Sequence, residues 1–195
     1  MLSPAPVAAR PRNRATRYSA LGQVFHWVSA LLMFAVLPLA WVMIVIARDN
    51  PNREMVYTIH KSIGVTILGL TVMRLAWRAV HPAPPLPGSM AGWEKLSARA
   101  SHWLLYGVMV AMPASGYVLS SAGGHPVSYF GLFTLPALPQ NRALAQSADW
   151  VHAMGQWAVY ALIVLHVAAT VFHLIARRDG VLDRMLPAQT NAERA

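Results

Sequence analysis

A chain of 195 residues that is 56% hydrophobic and only 12% charged has too little charge to coat a soluble globule of its size. Its formal charge of +9 is not a nucleic-acid footprint, because the basic residues sort by loop. With no cysteine there can be no disulfide, no iron–sulfur cluster and no covalent c-type haem attachment, so any redox group must be held by other ligands.

Residues 1–16, rich in Pro, Arg and Ala without apolar periodicity, read as a disordered basic arm. Residues 17–187 then hold four apolar stretches, roughly Ala20 to Ala47, Met55 to Val80, Ala100 to Ala122 and Ala148 to Ala176, and 188–195 form a tail. Each stretch meets the requirement of about 20 apolar residues for crossing a hydrocarbon layer ~30 Å thick. The first run is far longer than a signal-peptide core and lacks its small-residue exit, so it is predicted to stay as a helix. Pro38 and Pro113 fall inside helices and predict kinks. Between the second and third stretches, Pro82, Pro84, Pro85 and Pro87 impose an extended connector. The loop from Gly123 to Ser147 is the longest, and its Tyr129, Phe130, Leu132, Phe133 and Leu135 suit either a lid lying in the interface or a plain aromatic belt. Trp27, Trp41, Trp93, Trp103 and Trp150 sit near predicted helix ends, as interfacial anchors do.

The loop charges set a topology. Arg10, Arg12, Arg14, Arg17, Arg74, Arg78, Lys95, Arg99, Arg177, Arg178, Arg184 and Arg194 fall on one side, and only Arg48, Arg53, Lys61 and Arg142 on the other. The expectation is an all-α integral membrane four-helix bundle with both termini cytoplasmic.

Ionisable side chains inside spans are expensive and usually functional. Here they are histidines: His26, His60, His102, His152 and His166, with His173 near the inner end of the last helix. His152 and His166 are fourteen residues apart. That step is roughly 21 Å of rise and roughly 40° of rotation, so one helix offers two imidazoles on one face at two depths. Pairing by depth gives His60 with His152 toward the periplasm and His26 with His166 toward the cytoplasm. Two axial nitrogens from facing helices within an apolar sheath are what a non-covalent, bis-histidine haem requires. Gly64, one turn beyond His60, would let a ring lie close to the backbone, and Arg74 reaches the inner depth, where it can pair with a propionate. His102 competes with His26 as the inner ligand. His102 and His173 otherwise read as residues behind the ligands or in contact with a quinone, against packing or surface roles. Lys61 suits an outer propionate, an anionic substrate or plain snorkelling.

Arg17-Tyr18, Gln23-Val24-Phe25-His26-Trp27, Ile59-His60-Lys61-Ser62-Ile63-Gly64, Arg74, His102 with Tyr106, Gly131-Leu132 and the fourteen-residue step from His152 to His166 together resemble the bacterial cytochrome b561 family. The likeness runs from about Arg17 to Pro187, and the cytochrome b subunits of formate dehydrogenase and nickel–iron hydrogenase share the same haem core. The resemblance implies two haems b, ligated at His26, His60, His152 and His166 in preference to a pair using His102, and it adds Arg17 to the cofactor contacts. It also implies a place in the bacterial inner membrane. In one branch of the family the protein works alone, oxidising superoxide at the periplasmic face and reducing ubiquinone.

Three readings follow. The first is a free-standing carrier between superoxide or quinol and the quinone pool, with Lys61, Arg142, Arg48 and Arg53 concentrating an anion by electrostatic steering. The second is a haem-bearing anchor that takes electrons from a peripheral dehydrogenase partner. The third is a metal or haem transporter, for which the spans offer few carboxylates or amides to line a path.

Overall fold

A computed structural model describes residues 17–187, so the expected arm over 1–16 and tail over 188–195 lie outside the described residues. Four long helices dominate: α1 (Ala20–Val45), α2 (Arg53–Val80), α3 (Gly92–Ala122) and α4 (Arg142–Phe172), with a short hairpin, β1 (Ser128–Tyr129) and β2 (Phe133–Thr134), between α3 and α4. All four helices are long and apolar enough to cross a membrane.

Polar side chains cap the starts of α1, α3 and α4. The Ser19 hydroxyl accepts the Gly22 amide at the start of α1. The Asn141 side chain accepts the Leu144 amide at the start of α4, and Glu94 accepts the Ala91 amide at 2.7 Å at the start of α3. For this reason α3 and α4 start earlier than their apolar runs predict, at Gly92 and Arg142 rather than Ala100 and Ala148. Glu94 in the first turn of α3 and Arg78 in the last turn of α2 also complement the helix dipoles. Pro38 and Pro113 do lie within α1 and α3. Beyond Phe172, α4 runs through a π turn, His173–Arg177, which closes on Arg178 in the left-handed region (φ 49°).

Burial is inverted relative to a soluble bundle. Leu31, Ile44 and Val45 are 69–76% exposed, whereas Ser62 and Thr71 are fully buried and Ser29 nearly so. Small polar residues inside and large apolar ones outside suit a lipid solvent, where close approach and internal hydrogen bonds hold helices together. Thr71 and Ser62 donate back to the carbonyls of Ile67 and Thr58 on their own helix. Val36, Ile63 and Ile67 form the one described apolar cluster, wrapped by Leu32, Met33, Leu39, Ile59 and Met109, which ties α1, α2 and α3 together.

Backbones pack closely in chain order, α1 on α2, α2 on α3 and α3 on α4. Neither α1 nor α2 packs extensively against α4, so the bundle is parted along the side where the histidines meet.

The hairpin is pinned to α2. The Ser62 hydroxyl accepts the Phe130 amide at 2.7 Å and lies 3.2 Å from the Ser128 carbonyl, while Tyr129 and Thr66 join hydroxyls at 3.1 Å. Phe130 and Gly131 both have positive φ (49° and 76°), the combination a tight hairpin turn needs. The aromatic loop is therefore a folded flap against α2. At the opposite end of the bundle the chain knots itself: Tyr18 N–H and Gln23 bond carbonyls of residues 184–186, Trp27 donates to Met185, and Arg184 reaches the carbonyls of Pro84 and Pro85. Arg177 completes this by pairing with Glu94 at 3.0 Å.

Candidate paired-histidine site

The step of fourteen residues along α4 carries His152 and His166 to two levels of the parted side. His152 faces His60 of α2, with ring centroids 6.4 Å apart, and His166 faces His26 of α1 at 6.1 Å. His102 of α3 also lies against His166, at 5.5 Å, so one level holds two imidazoles and the other holds three. All five rings are half-buried. The depth pairing read from the sequence matches these neighbours, and His102 joins the inner group as the competitor it was expected to be.

The ring nitrogens differ between the levels. His152 Nδ1 lies 2.9 Å from the Met112 carbonyl and 3.2 Å from the Ser115 hydroxyl. A carbonyl only accepts, so Nδ1 carries the proton and Nε2 presents its lone pair. His60 Nδ1 is buried without a well-formed hydrogen bond. At the other level Arg74 donates to His26 Nδ1 across 3.4 Å, the long limit of such a bond.

Two imidazoles that share a metal at roughly 2 Å per nitrogen have ring centroids roughly 6 Å apart. Both pairs have that spacing, across a gap between helices that close packing would otherwise have filled. Among the described residues no cluster of three or more His, Cys, Asp or Glu is arranged to hold a bare metal ion. The ring spacing and the oriented His152 fit a flat iron macrocycle that the histidines would hold better than an ion closed in by protein alone.

The remaining sequence candidates fall out as follows. Arg74 lies beside His26 and over the Tyr106 ring, and with Arg17 and Arg78 it lines a cavity of about 300 Å³. Arg17 also donates to the carbonyls of Leu186 and Pro187. A Cβ on Gly64 would meet only Pro113 Cβ, at an ordinary 3.8 Å. Lys61 bonds the Ser120 hydroxyl and the Pro126 carbonyl, tying α2 to the start of the flap loop, and Arg142 sits exposed in the first turn of α4. His173 is buried against Asp179 at 2.7 Å and so is not brought into the inner group. Sequence reasoning missed Met112, Ser115 and Gly116. A Cβ on Gly116 would lie 2.9 Å from His152 Cε1, so this glycine makes room for the ring. Its signal was available: Gly116 follows His102 by fourteen residues, the step that separates His152 from His166 on the antiparallel neighbour.

The family model described as prokaryotic cytochrome b561 matches residues 17–188. Cytochrome b561 homolog 2 of Escherichia coli K12 is 35% identical over 89% of this chain and 93% of its own length. The probable superoxide oxidase CybB of Yersinia pestis is 28% identical over 88% and 96%, and cytochrome b561 homolog 1 of Escherichia coli K12 is 23% identical over 88% and 97%.

Proposed function

The chain belongs to the prokaryotic cytochrome b561 family of membrane electron-transfer proteins, and from that premise we propose that it holds two haems b and links a one-electron donor outside the inner membrane, superoxide, to ubiquinone. The observation that carries this reading is the pair of histidine couples on α4, at 6.4 and 6.1 Å across the parted side of the bundle.

His60 and His152 would hold the outer haem, and His26 and His166 the inner one. When bound, the haems would supply one-electron transfer, with the imidazoles of these couples as the residues that hold them. The protein's share is orientation and environment. Met112 and Ser115 fix the His152 tautomer by accepting its Nδ1 proton, which leaves Nε2 as the ligating atom. Gly116 gives that ring its space, and Gly64 keeps the face of α2 one turn from His60 low. Arg74, with Arg17 in the same cavity, offers positive charge to the inner carboxylates. His102 stands against His166 as a residue behind the ligand and as a quinone contact, and His173 serves that end through its bond to Asp179.

Superoxide suits a donor that arrives from the aqueous face. The relative from Yersinia pestis that bears the name superoxide oxidase supports this choice, and Lys61, Arg142, Arg48 and Arg53 would draw an anion to that end. Two superoxide anions each give up one electron and leave as dioxygen, and one ubiquinone takes both electrons with two protons to become the quinol. Both termini would lie in the cytoplasm, where the basic residues are concentrated.

The test is optical. Superoxide generated enzymatically is mixed with the oxidised protein, with and without ubiquinone, while haem reduction is followed, and a pyridine haemochrome assay counts the haems. Two haems per chain, reduced by superoxide and reoxidised by ubiquinone, are expected, with the reduction slowing as salt rises. Reduction only by a co-purifying dehydrogenase would replace this reading with the membrane-anchor one.

A further inference from the structure

The cavity at the termini end of the bundle holds more positive charge than the proposed function uses. It is about 300 Å³ in volume and is lined by Arg17, Arg74 and Arg78 together with Tyr18, Ser19, Gly22, Trp77 and Tyr106. No carboxylate lines it, and the carboxylate ion pairs of the described residues involve Arg177 and His173 rather than these three arginines. Three like charges converge where the dielectric is falling toward the membrane interior, and such a cluster favours bound anions.

The three sit at graded depth. Arg74 is six residues inside the end of α2 and approaches His26 at 3.4 Å, whereas Arg78 is two residues from that end and donates to Tyr106 at 3.3 Å. Arg17 precedes α1, and the first turn of α1 opens onto the same cavity through Ser19 and Gly22, so amides without an intrahelical partner add to the field. Trp77 donates to the Ser19 hydroxyl at 3.1 Å and stacks on His81 at 3.6 Å, which places an aromatic wall at headgroup level. Arg74 at the deep end approaches His26 directly, and Arg78 lies within electrostatic reach of His102. Arg78 and the α1 terminus form the mouth, flanked by Arg17, whose guanidinium is also held by the Leu186 and Pro187 carbonyls.

We propose that this mouth binds the phosphate of an anionic phospholipid, which enters from the bilayer with its acyl chains against the exposed apolar faces of α1 and α2. The ligand chemistry is a phosphate monoanion in a basic pocket between membrane helices, where a phosphodiester can accept from a guanidinium and from backbone amides at once. A lipid is favoured over a soluble phosphate because the cavity opens at the interface, between the α2–α3 connector (Pro82, Pro84) and the α1 terminus. The inference goes beyond electron transfer and stands whether or not the donor is superoxide.

Native mass spectrometry on the delipidated holoprotein tests it, with phosphatidylglycerol titrated against phosphatidylcholine of the same chains. The wild type should retain phosphatidylglycerol about 10-fold more tightly, and Arg78→Gln should cut that preference by about 5-fold or more, with Arg78→Lys in between. Arg17→Gln is the second variant should Arg78→Gln fail to fold, and the same spectra count haem. Equal retention of the two lipids by the wild type, or an unchanged preference in both glutamine variants, would overturn the proposal. So would displacement of the lipid by millimolar inorganic phosphate, which would make the site one for a soluble anion. Loss of a haem from Arg78→Gln with lipid retention intact would show that the cavity serves haem carboxylates alone.

Discussion

The two histidine levels are built differently, although one helix supplies an imidazole to each. At the His60–His152 level, the proposed outer one, the surroundings fix a single answer: His152 is oriented by the Met112 carbonyl and the Ser115 hydroxyl, and spaced by Gly116. Its partner His60 has a buried Nδ1 without a well-formed hydrogen bond, with the Val36 backbone close enough to interact with the ring. At the other level, the proposed inner one, three rings from three helices converge, His26 and His102 both within about 6 Å of His166, and the group at the His26 Nδ1 is a donor, Arg74, rather than an accepting carbonyl. An outer site of this kind is set before any ligand arrives, whereas the inner one leaves two ways to make a pair. The difference is one of preorganisation.

Removing a ring from α4 should have the largest effect and should separate the levels cleanly. His152→Ala should drop the haem count from two to one by loss of the outer haem, and His166→Ala should do the same for the inner one, as read by haemochrome assay and redox-difference spectra. The proposed sites share a helix but no ligand, so each loss should leave the other spectrum intact. A single substitution that strips both haems would mean that the levels are not independent.

Next in size is the choice inside the inner group. His26→Ala should lose the inner haem, while His102→Ala should keep both and alter the rate of quinone reduction. The reverse pattern would make His102 and His166 the pair, a result that the 5.5 Å spacing allows geometrically.

How much of this was legible beforehand follows the same division. Apolar runs, proline positions and histidine spacing predicted four helices and both pairs of neighbours, because depth along a membrane helix is a one-dimensional quantity that sequence records directly. The flap on α2 was not legible in detail, since it depends on Ser62 meeting a backbone amide sixty-eight residues away. Nor did spacing foresee that His173 would turn to Asp179, a partner in the segment beyond α4. Helix starts at Gly92 and Arg142 were missed because caps, not hydropathy, fix them. Gly116 was overlooked because a glycine in a span reads as packing until the ring across from it is known.

Gly116 therefore supplies the third prediction. Gly116→Val should crowd the His152 ring, since a Cβ alone would stand 2.9 Å from Cε1. Overpacking of that kind costs about 1–3 kcal/mol, so outer haem occupancy should fall by roughly one to two orders of magnitude at limiting haem. Gly64→Ala, with only Pro113 at 3.8 Å, is the matched control and should be nearly silent in haem retention. If Gly64→Ala proves the more damaging, the ring lies against α2 rather than being spaced by α3.

The smallest expected effect falls on Ser115, and it tests why the outer level is preorganised at all. The Nδ1 proton of His152 has two acceptors, the Met112 carbonyl at 2.9 Å and the Ser115 hydroxyl at 3.2 Å, and the hydroxyl itself donates to the same carbonyl at 2.9 Å. Ser115→Ala removes the longer bond and relieves the carbonyl of a competing donor, so the remaining bond from Nδ1 should strengthen in part compensation. A net change of about 1 kcal/mol is the usual scale for one such bond, which corresponds to a haem affinity lowered by roughly 3–10-fold with the low-spin spectrum unchanged. Partners behind a metal-bound histidine raise its basicity, so the outer midpoint potential should move while the inner one stays fixed. Potentiometric titration at two wavelengths resolves the two. A variant that loses the outer haem as completely as His152→Ala would show that the hydroxyl, not the carbonyl, orients the ring; a shift in both potentials would show that the levels communicate through α4.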